Sequence, residues 1–102
     1  MRTRLELQAA LERLVGSRNV YFQPPESLNI KYPCIIYETH DLKNRFANNN
    51  IYKQNFSYQL VLVDSNPDSE IFKNMCKIPQ IKFKNFYISE NLNHYVFESY
   101  IY

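Results

Sequence analysis

The cysteines and histidines are the side chains of this sequence best suited to nucleophilic or metal chemistry: Cys34, Cys76, His40 and His94. A cysteine nucleophile needs an imidazole base within hydrogen-bond reach. Cys34 and His40 lie six residues apart on one predicted strand, which separates them by about 20 Å. Cys34 and His94 can meet only across a sheet, and the sequence alone leaves that arrangement open.

Other constellations for catalysis or cofactor binding are weak. The four cysteines and histidines occur singly, without the C-x-x-C or H-x-x-x-H spacing of a metal site. Phosphate-binding loops are rich in glycine, and this chain has one Gly. The acidic pairs, Asp64 with Asp68 and Glu38 with Asp41, are also typical of helix caps and strand ends. We therefore expect no enzyme activity, no catalytic residue, no metal and no cofactor.

Basic and aromatic residues alternate in parts of the chain, a pattern that can bind single-stranded nucleic acid. The basic members are Lys43, Arg45, Lys53, Lys77, Lys82 and Lys84, and the aromatic members are Phe46, Tyr52, Phe56, Phe83 and Phe86. The same pattern is typical of a strand with one wet and one buried face. Twelve basic and ten acidic side chains, a net charge of +2, provide no strong field for nucleic acid. A small nucleic-acid-binding accessory protein remains the alternative function.

Length and composition indicate one folded domain spanning residues 1–102, because 45% of the residues are hydrophobic and 16% are aromatic. The two cysteines are expected to be buried, reduced thiols. The sequence starts with charged residues, and no apolar run approaches the ~18 residues of a membrane span. We therefore expect a cytosolic protein without a membrane partner.

The firmest structural prediction is an N-terminal amphipathic helix. Its apolar residues follow the spacing of one helical face: Leu7, Ala10, Leu11, Leu14 and Val15. Thr3 and Glu6 fit a capping box at the start, and Gly16 is suited to end the helix in the left-handed conformation.

Strands are predicted over residues 20–23, 34–37, 42–46 and 51–64, with a turn at 47–50 that makes the last two a hairpin. A second, short helix follows, with Ser65 or Asn66 as its cap, and Pro79 ends it. A closing hairpin turns at Glu90 and Asn91, and its last strand is expected to leave an aromatic edge at residues 100–102. The prediction is an α+β fold, mostly antiparallel, in the order α-β-β-β-β-α-β-β.

Four segments of the sequence resemble the small tail completion proteins of tailed bacteriophages, also called head-to-tail joining or tail terminator proteins. These segments are MRTRLELQAALERLVGS, NVYFQPPESLNIKYPCIIYE, VLVDSNPDSEI and ENLNHYVFESYIY. The resemblance implies a structural virion protein that assembles into a homo-oligomeric ring, commonly a hexamer. It implies the tail tube protein and the head connector or head completion protein as partners, and no small-molecule substrate. The expected location is the head–tail interface of a virion assembled in the host bacterial cytoplasm.

The hairpin over residues 42–57 is the expected site of subunit contact, because its polar tip at Asn48, Asn49 and Asn50 is flanked by more apolar residues than a protruding loop needs. A cyclic oligomer requires two different complementary surfaces on each subunit, and a projecting hairpin against an open sheet edge meets this requirement. The predicted interface residues are Lys43, Arg45, Phe46, Asn48, Asn49, Asn50, Tyr52 and Lys53.

Overall fold

The structure, a computed structural model, describes residues 3–24, 30–47 and 50–101, and over 41–47, 50–56 and 100–101 it describes the backbone alone. The elements are α1 (Arg4–Val15), β1 (Val20–Phe22), β2 (Cys34–Ala47), β3 (Asn50–Asp64), α2 (Glu70–Met75), β4 (Ile81–Ser89) and β5 (Leu92–Ile101). The α+β fold class and the predicted order of elements are confirmed. The predicted strands 34–37 and 42–46 are two halves of β2, which continues through a register shift between Thr39 and Asp41.

The five strands form one sheet in the order β1-β2-β3-β5-β4. Antiparallel pairing joins β2 to β3, β3 to β5 and β5 to β4, as the short connections predict. β1 is the exception, because it pairs parallel to β2 with Val20 opposite Ile35. Residues 23–33 separate the two strands and are enough chain to return to the same end of the sheet.

Both helices contribute to the core on one face of the sheet, and we call the other face the open face. The described core contains Leu7, Leu11, Val20, Ile35, Tyr37, Tyr58, Leu60, Leu62, Met75, Ile81, Tyr95 and Phe97. Tyr58, Leu60 and Leu62 of β3 and Tyr95 and Phe97 of β5 alternate along their strands in this set, as strand geometry requires. On the open face of β3, Val63 is also buried and Val61 is half-buried, so this strand is shielded on both sides.

The local signals of α1 are confirmed. The Thr3 hydroxyl accepts a hydrogen bond from the Glu6 amide at 3.2 Å, and Leu7 and Leu11 are fully buried. Gly16 has a φ of 79°, and its amide donates to the Glu12 carbonyl at 2.9 Å. The helix is attached to β1 through the Gln8 amide, which donates to the Val20 carbonyl at 3.1 Å.

The predicted cap of α2 was wrong. The helix begins after Ser69, whose hydroxyl accepts from the Phe72 amide at 3.3 Å. The expected cap residue Asn66 instead belongs to a turn, where its amide donates to the Asp64 carboxylate and its own side chain accepts from the Asp68 amide. Asx turns of this kind compete with helix capping, because the same side-chain oxygen serves both motifs.

The closing hairpin is confirmed. The described pairing of β4 with β5 stops at Ser99, so the backbone of Tyr100 and Ile101 pairs with β3 alone and leaves an edge at the predicted place. Glu90 and Asn91 both have positive φ and connect Ser89 to Leu92, as a two-residue turn between antiparallel strands requires. Up to Ser99, β5 pairs with β3 on one side and with β4 on the other, and the edge strands of the described sheet are β4 and β1. No described helix is both long and apolar enough to cross a bilayer.

Candidate subunit interface

The distal halves of β2 and β3, residues 41–56, form a two-stranded projection that we call the arm. The pairing of β5 with β3 ends at Phe56 opposite Ile101, and the pairing of β1 with β2 ends at Tyr37. Beyond these points the described parts of β2 and β3 pair only with each other. The arm therefore has two lateral edges that no described strand of the same chain occupies.

The structure places the predicted interface residues in the arm. Lys43, Arg45 and Phe46 lie on β2, and Asn50, Tyr52 and Lys53 lie on β3, whereas Asn48 and Asn49 lie outside the described residues. Arg45 and Lys53 occupy directly opposite register positions. Like charges at such positions are unfavourable for an isolated hairpin. An acidic partner surface is the complement of these two basic register positions.

β4 is an edge strand of the described sheet, with β1 at the opposite edge. Phe83, Phe86, Tyr87 and Ile88 are exposed by 45%, 42%, 44% and 66%, and they make up four of the six large apolar side chains exposed in the described chain. An edge strand with unpaired backbone groups and exposed aromatic residues is a template for pairing with another strand. The concentration on one strand indicates a contact surface rather than scattered surface apolarity.

A β-bulge determines where these aromatic residues lie. Phe83 pairs with Phe97 and Asn85 with the adjacent Val96, so Lys84 is an extra residue in β4. Simple alternation would place Phe83 and Phe86 on opposite faces, but the bulge brings both onto the helix-covered face.

The two phenylalanines and α2 form a shallow cleft of about 340 Å³. The Phe72 ring lies 5.3 Å from Phe83 and 4.5 Å from Tyr95, and Phe86 lies 5.1 Å from Tyr95. We call the surface lined by Phe72, Phe83, Phe86 and Tyr95 the aromatic groove. Stacked and tilted rings at these distances are mutually attractive, so the groove is preformed.

Acidic residues surround the end of the groove where β3 turns into α2. Asp68 lines the cleft, and burial, followed by the charges of Asp64 and Asp68, raises the pKa of Tyr95. Glu70 adds a third carboxylate in the first turn of α2, and Lys73 lies 3.6 Å from it as the single cation. This rim, formed by the exposed carboxylates of Asp68 and Glu70, is suited to a basic partner, whereas Asp64 is buried and accepts a hydrogen bond from the Asn66 amide.

The open face carries a polar network around Glu98. Ser57 donates a hydrogen bond to Glu98 Oε1 at 2.8 Å, and Lys84 Nζ lies 3.1 Å from Oε2. A depression of about 260 Å³ beside this network is also lined by His40 and Gln59. Because Ser57 and Lys84 engage both oxygens of the carboxylate, the arrangement stabilises the paired strands rather than presenting a general base.

The structure does not bring Cys34 and His94 together. Both pair in register with Val63, which lies between them, so the two strands are about 10 Å apart. Burial raises the pKa of Cys34 to about 11, which keeps it a neutral thiol. His94 Nδ1 lies 3.0 Å from the Leu92 carbonyl, and the His94 ring stacks on Tyr87.

The expectation of two buried cysteines was wrong for Cys76. This residue is exposed, because α2 ends at Met75 and Cys76 is its C-cap. In the described ranges, no three His, Cys, Asp or Glu side chains are grouped to hold a metal ion.

Lys82 and Lys84 of β4 do not share a surface with the phenylalanines Phe83 and Phe86 of the same strand. Lys82 pairs in register with Glu98 and Lys84 contacts it, so both lysines lie toward the open face. Phe83 and Phe86 contact core aromatic rings on the other face. Stacking of bases requires the cations and the rings on the same surface, and β4 separates them.

The sequence prediction missed the aromatic groove. Its signal was the three-residue spacing from Phe83 to Phe86 in a strand otherwise expected to alternate, which is consistent with a bulge.

No protein-family model matches this chain, and no curated protein matches it.

Proposed function

We propose that this protein is a structural subunit that completes the tail of a bacteriophage and joins it to the head connector, as a ring of identical copies. The supporting sequence feature is the resemblance of the four segments given above. The observation that carries the proposal is the presence of two different open β borders on one chain, the arm and β4.

Two unlike surfaces are what a ring requires. A closed ring forms from heterologous contacts, in which one surface of each subunit binds a different surface of its neighbour. The arm projects from the middle strands of the sheet, and β4 lies at one edge, so a single subunit offers both a donor and an acceptor. The proposed location is the head–tail interface, and the proposed partners are the tail tube protein and the head connector.

The test is assembly on purified tail tubes that lack this protein. We expect the full chain to bind tube ends and to appear by electron microscopy as a ring-shaped cap, with six copies as the expected number. Mass photometry of the free protein reports whether the ring forms before it meets the tube. Tubes that remain uncapped at every protein concentration would overturn the proposal.

A deletion variant tests whether the arm is required for assembly on the tail tube. Deletion of residues 47–50 removes the tip and leaves the β3–β5 pairing from Phe56 onward in place. We expect the variant to keep the thermal midpoint of the parent and to fail to cap tubes. Unchanged capping and unchanged phage yield would show that the arm is not a contact surface.

A further inference from the structure

We infer that the aromatic groove of one copy binds the arm of a second copy of this chain, an inference that rests on the proposed function. The groove combines a preformed aromatic surface with the open edge of β4. An extended segment that pairs with such an edge gains backbone hydrogen bonds, and an adjacent pocket for its side chains gives specificity. The groove therefore fits a β-strand or hairpin as its ligand.

The arm of the same chain cannot reach this groove. Phe83 and Phe86 pair with Phe97 and Tyr95, which lie beside Leu60 and Leu62 of β3. The arm lies at the other end of β3, where it extends from Phe56 toward Asn50 and away from Leu60 and Leu62. β5 also separates β3 from β4 in the sheet. A hairpin that occupies the groove must therefore come from another molecule.

Charge complementarity favours the arm as that hairpin. The arm carries three cations, Lys43, Arg45 and Lys53, and one anion, Asp41. The groove rim carries two exposed carboxylates, Asp68 and Glu70, and one cation, Lys73, and the carboxylate of Asp64 is buried. Opposite charges on two docking surfaces accelerate their encounter and determine their relative orientation.

The register of the arm gives a second reason to identify the arm as the segment that binds the groove. Arg45 and Lys53 lie directly opposite each other, and this like-charge pair is unfavourable in a free hairpin. Asp68 at the rim is exposed and follows the end of β3, where it can compensate these charges. The apolar residue types near the tip, Phe46, Ile51 and Tyr52, match the aromatic lining of the groove.

The first experiment measures self-association of the full chain by sedimentation velocity, free and on tail tubes. The double variant Phe83→Ser with Phe86→Ser removes the outer wall of the groove, and we expect association to weaken by about tenfold or more. Tyr87→Ser is the matched control, because Tyr87 is on the same strand with 44% exposure but lies on the open face. It should change association by less than about twofold.

The second experiment tests contact between arm and groove directly. In a Cys76→Ser background, one chain carries Asn50→Cys in the arm and another carries Lys73→Cys at the groove. We expect a mixed disulfide when the two chains are combined under mild oxidation. The same mixture with Phe83→Ser and Phe86→Ser should lose it. A mixed disulfide of equal yield in both mixtures would overturn the inference.

Charge-reversal variants test how much of the self-association depends on electrostatic attraction rather than on burial of apolar side chains. Asp68→Lys should weaken association and lower its dependence on salt, and combining it with Arg45→Glu and Lys53→Glu in one chain should restore association. Failure of the combined variant to recover would overturn the arm as the partner. Rings that form normally despite the loss of Phe83 and Phe86 overturn this inference alone, whereas a wild-type chain that associates neither free nor on tubes overturns the proposed function too.

Discussion

Phe72 of α2 stacks on Tyr95 of β5, with ring centroids 4.5 Å apart and ring planes at 27°. Phe72 also contacts Phe83 and Phe97, so one side chain connects α2 with two strands. α2 has only six residues, fewer than an isolated helix needs for stability. Packing of Phe72 on the sheet therefore stabilises this helix, and the same contact forms the floor of the aromatic groove.

Substitution Phe72→Ala should lower the free energy of unfolding by about 2 kcal/mol, because a half-buried phenylalanine loses its ring contacts and leaves a partial cavity. Urea denaturation monitored by circular dichroism measures the change. The control is Phe86→Ala, which removes a ring exposed by 42% and should cost about half as much. Equal effects of the two variants would contradict the role assigned to Phe72.

Substitutions of Gly16 should rank by their tolerance of the left-handed conformation. A Cβ added at Gly16 meets nothing within 4 Å, so the cost comes from the φ of 79° rather than from a clash. We expect Gly16→Ala to lower the free energy of unfolding by about 1 kcal/mol, Gly16→Asn by less and Gly16→Val by more. Thermal and urea denaturation of the three variants test this order, and a Val variant as stable as the Asn variant would contradict it.

The two cysteines should react with thiol reagents at very different rates. Cys76 is exposed, whereas Cys34 is fully buried and its pKa is raised to about 11. At pH 7.5 and without denaturant, we expect one cysteine to react in minutes and the second to react only after unfolding. Mass spectrometry of the alkylated peptides identifies the sites. Rapid modification of Cys34 in the folded protein would show that this side chain is not buried as described.

Stability should fall in alkaline solution, and Cys34 should contribute to the fall. Burial raises the pKa of Cys34 from 9.0 to about 11, so the unfolded chain releases this proton first. The contribution is fully present below pH 9 and is lost as the pH rises toward about 11. Burial also raises the pKa values of Tyr37 and Tyr95 above the ordinary tyrosine value of 10.0. Both tyrosines therefore also lose their contribution to stability as the pH rises above 10.0.

The measurement is the urea midpoint at pH 8 and at pH 10.5. Cys34→Ala should reduce the loss of stability between the two pH values. An identical loss in the parent and in the Cys34→Ala variant would contradict the raised pKa of the buried thiol.

Much of the fold could be predicted from the sequence, because the signals of α1 and of the closing turn act within a few residues. The Thr3 cap, the apolar face that includes Leu7 and Leu11, and the left-handed Gly16 were all predictable and are confirmed. The cap of α2 could not be predicted. Ser65, Asn66 and Ser69 all have suitable side chains, and the choice depends on the turn that Asp64 and Asn66 form after β3.

The features of the candidate interface also fall into those that the sequence determined and those that the tertiary structure decided. The sequence by itself determined the alternation of β3 and β5, the closing turn at Glu90 and Asn91 and the balanced net charge of +2. Only the tertiary structure decided that β4 lies outside β5 at an edge of the sheet and that Phe83 and Phe86 share one face. The physical reason is that side-chain periodicity and turn preferences are properties of neighbouring residues along the chain, whereas an edge and a bulge depend on which distant strand provides the hydrogen-bond partners.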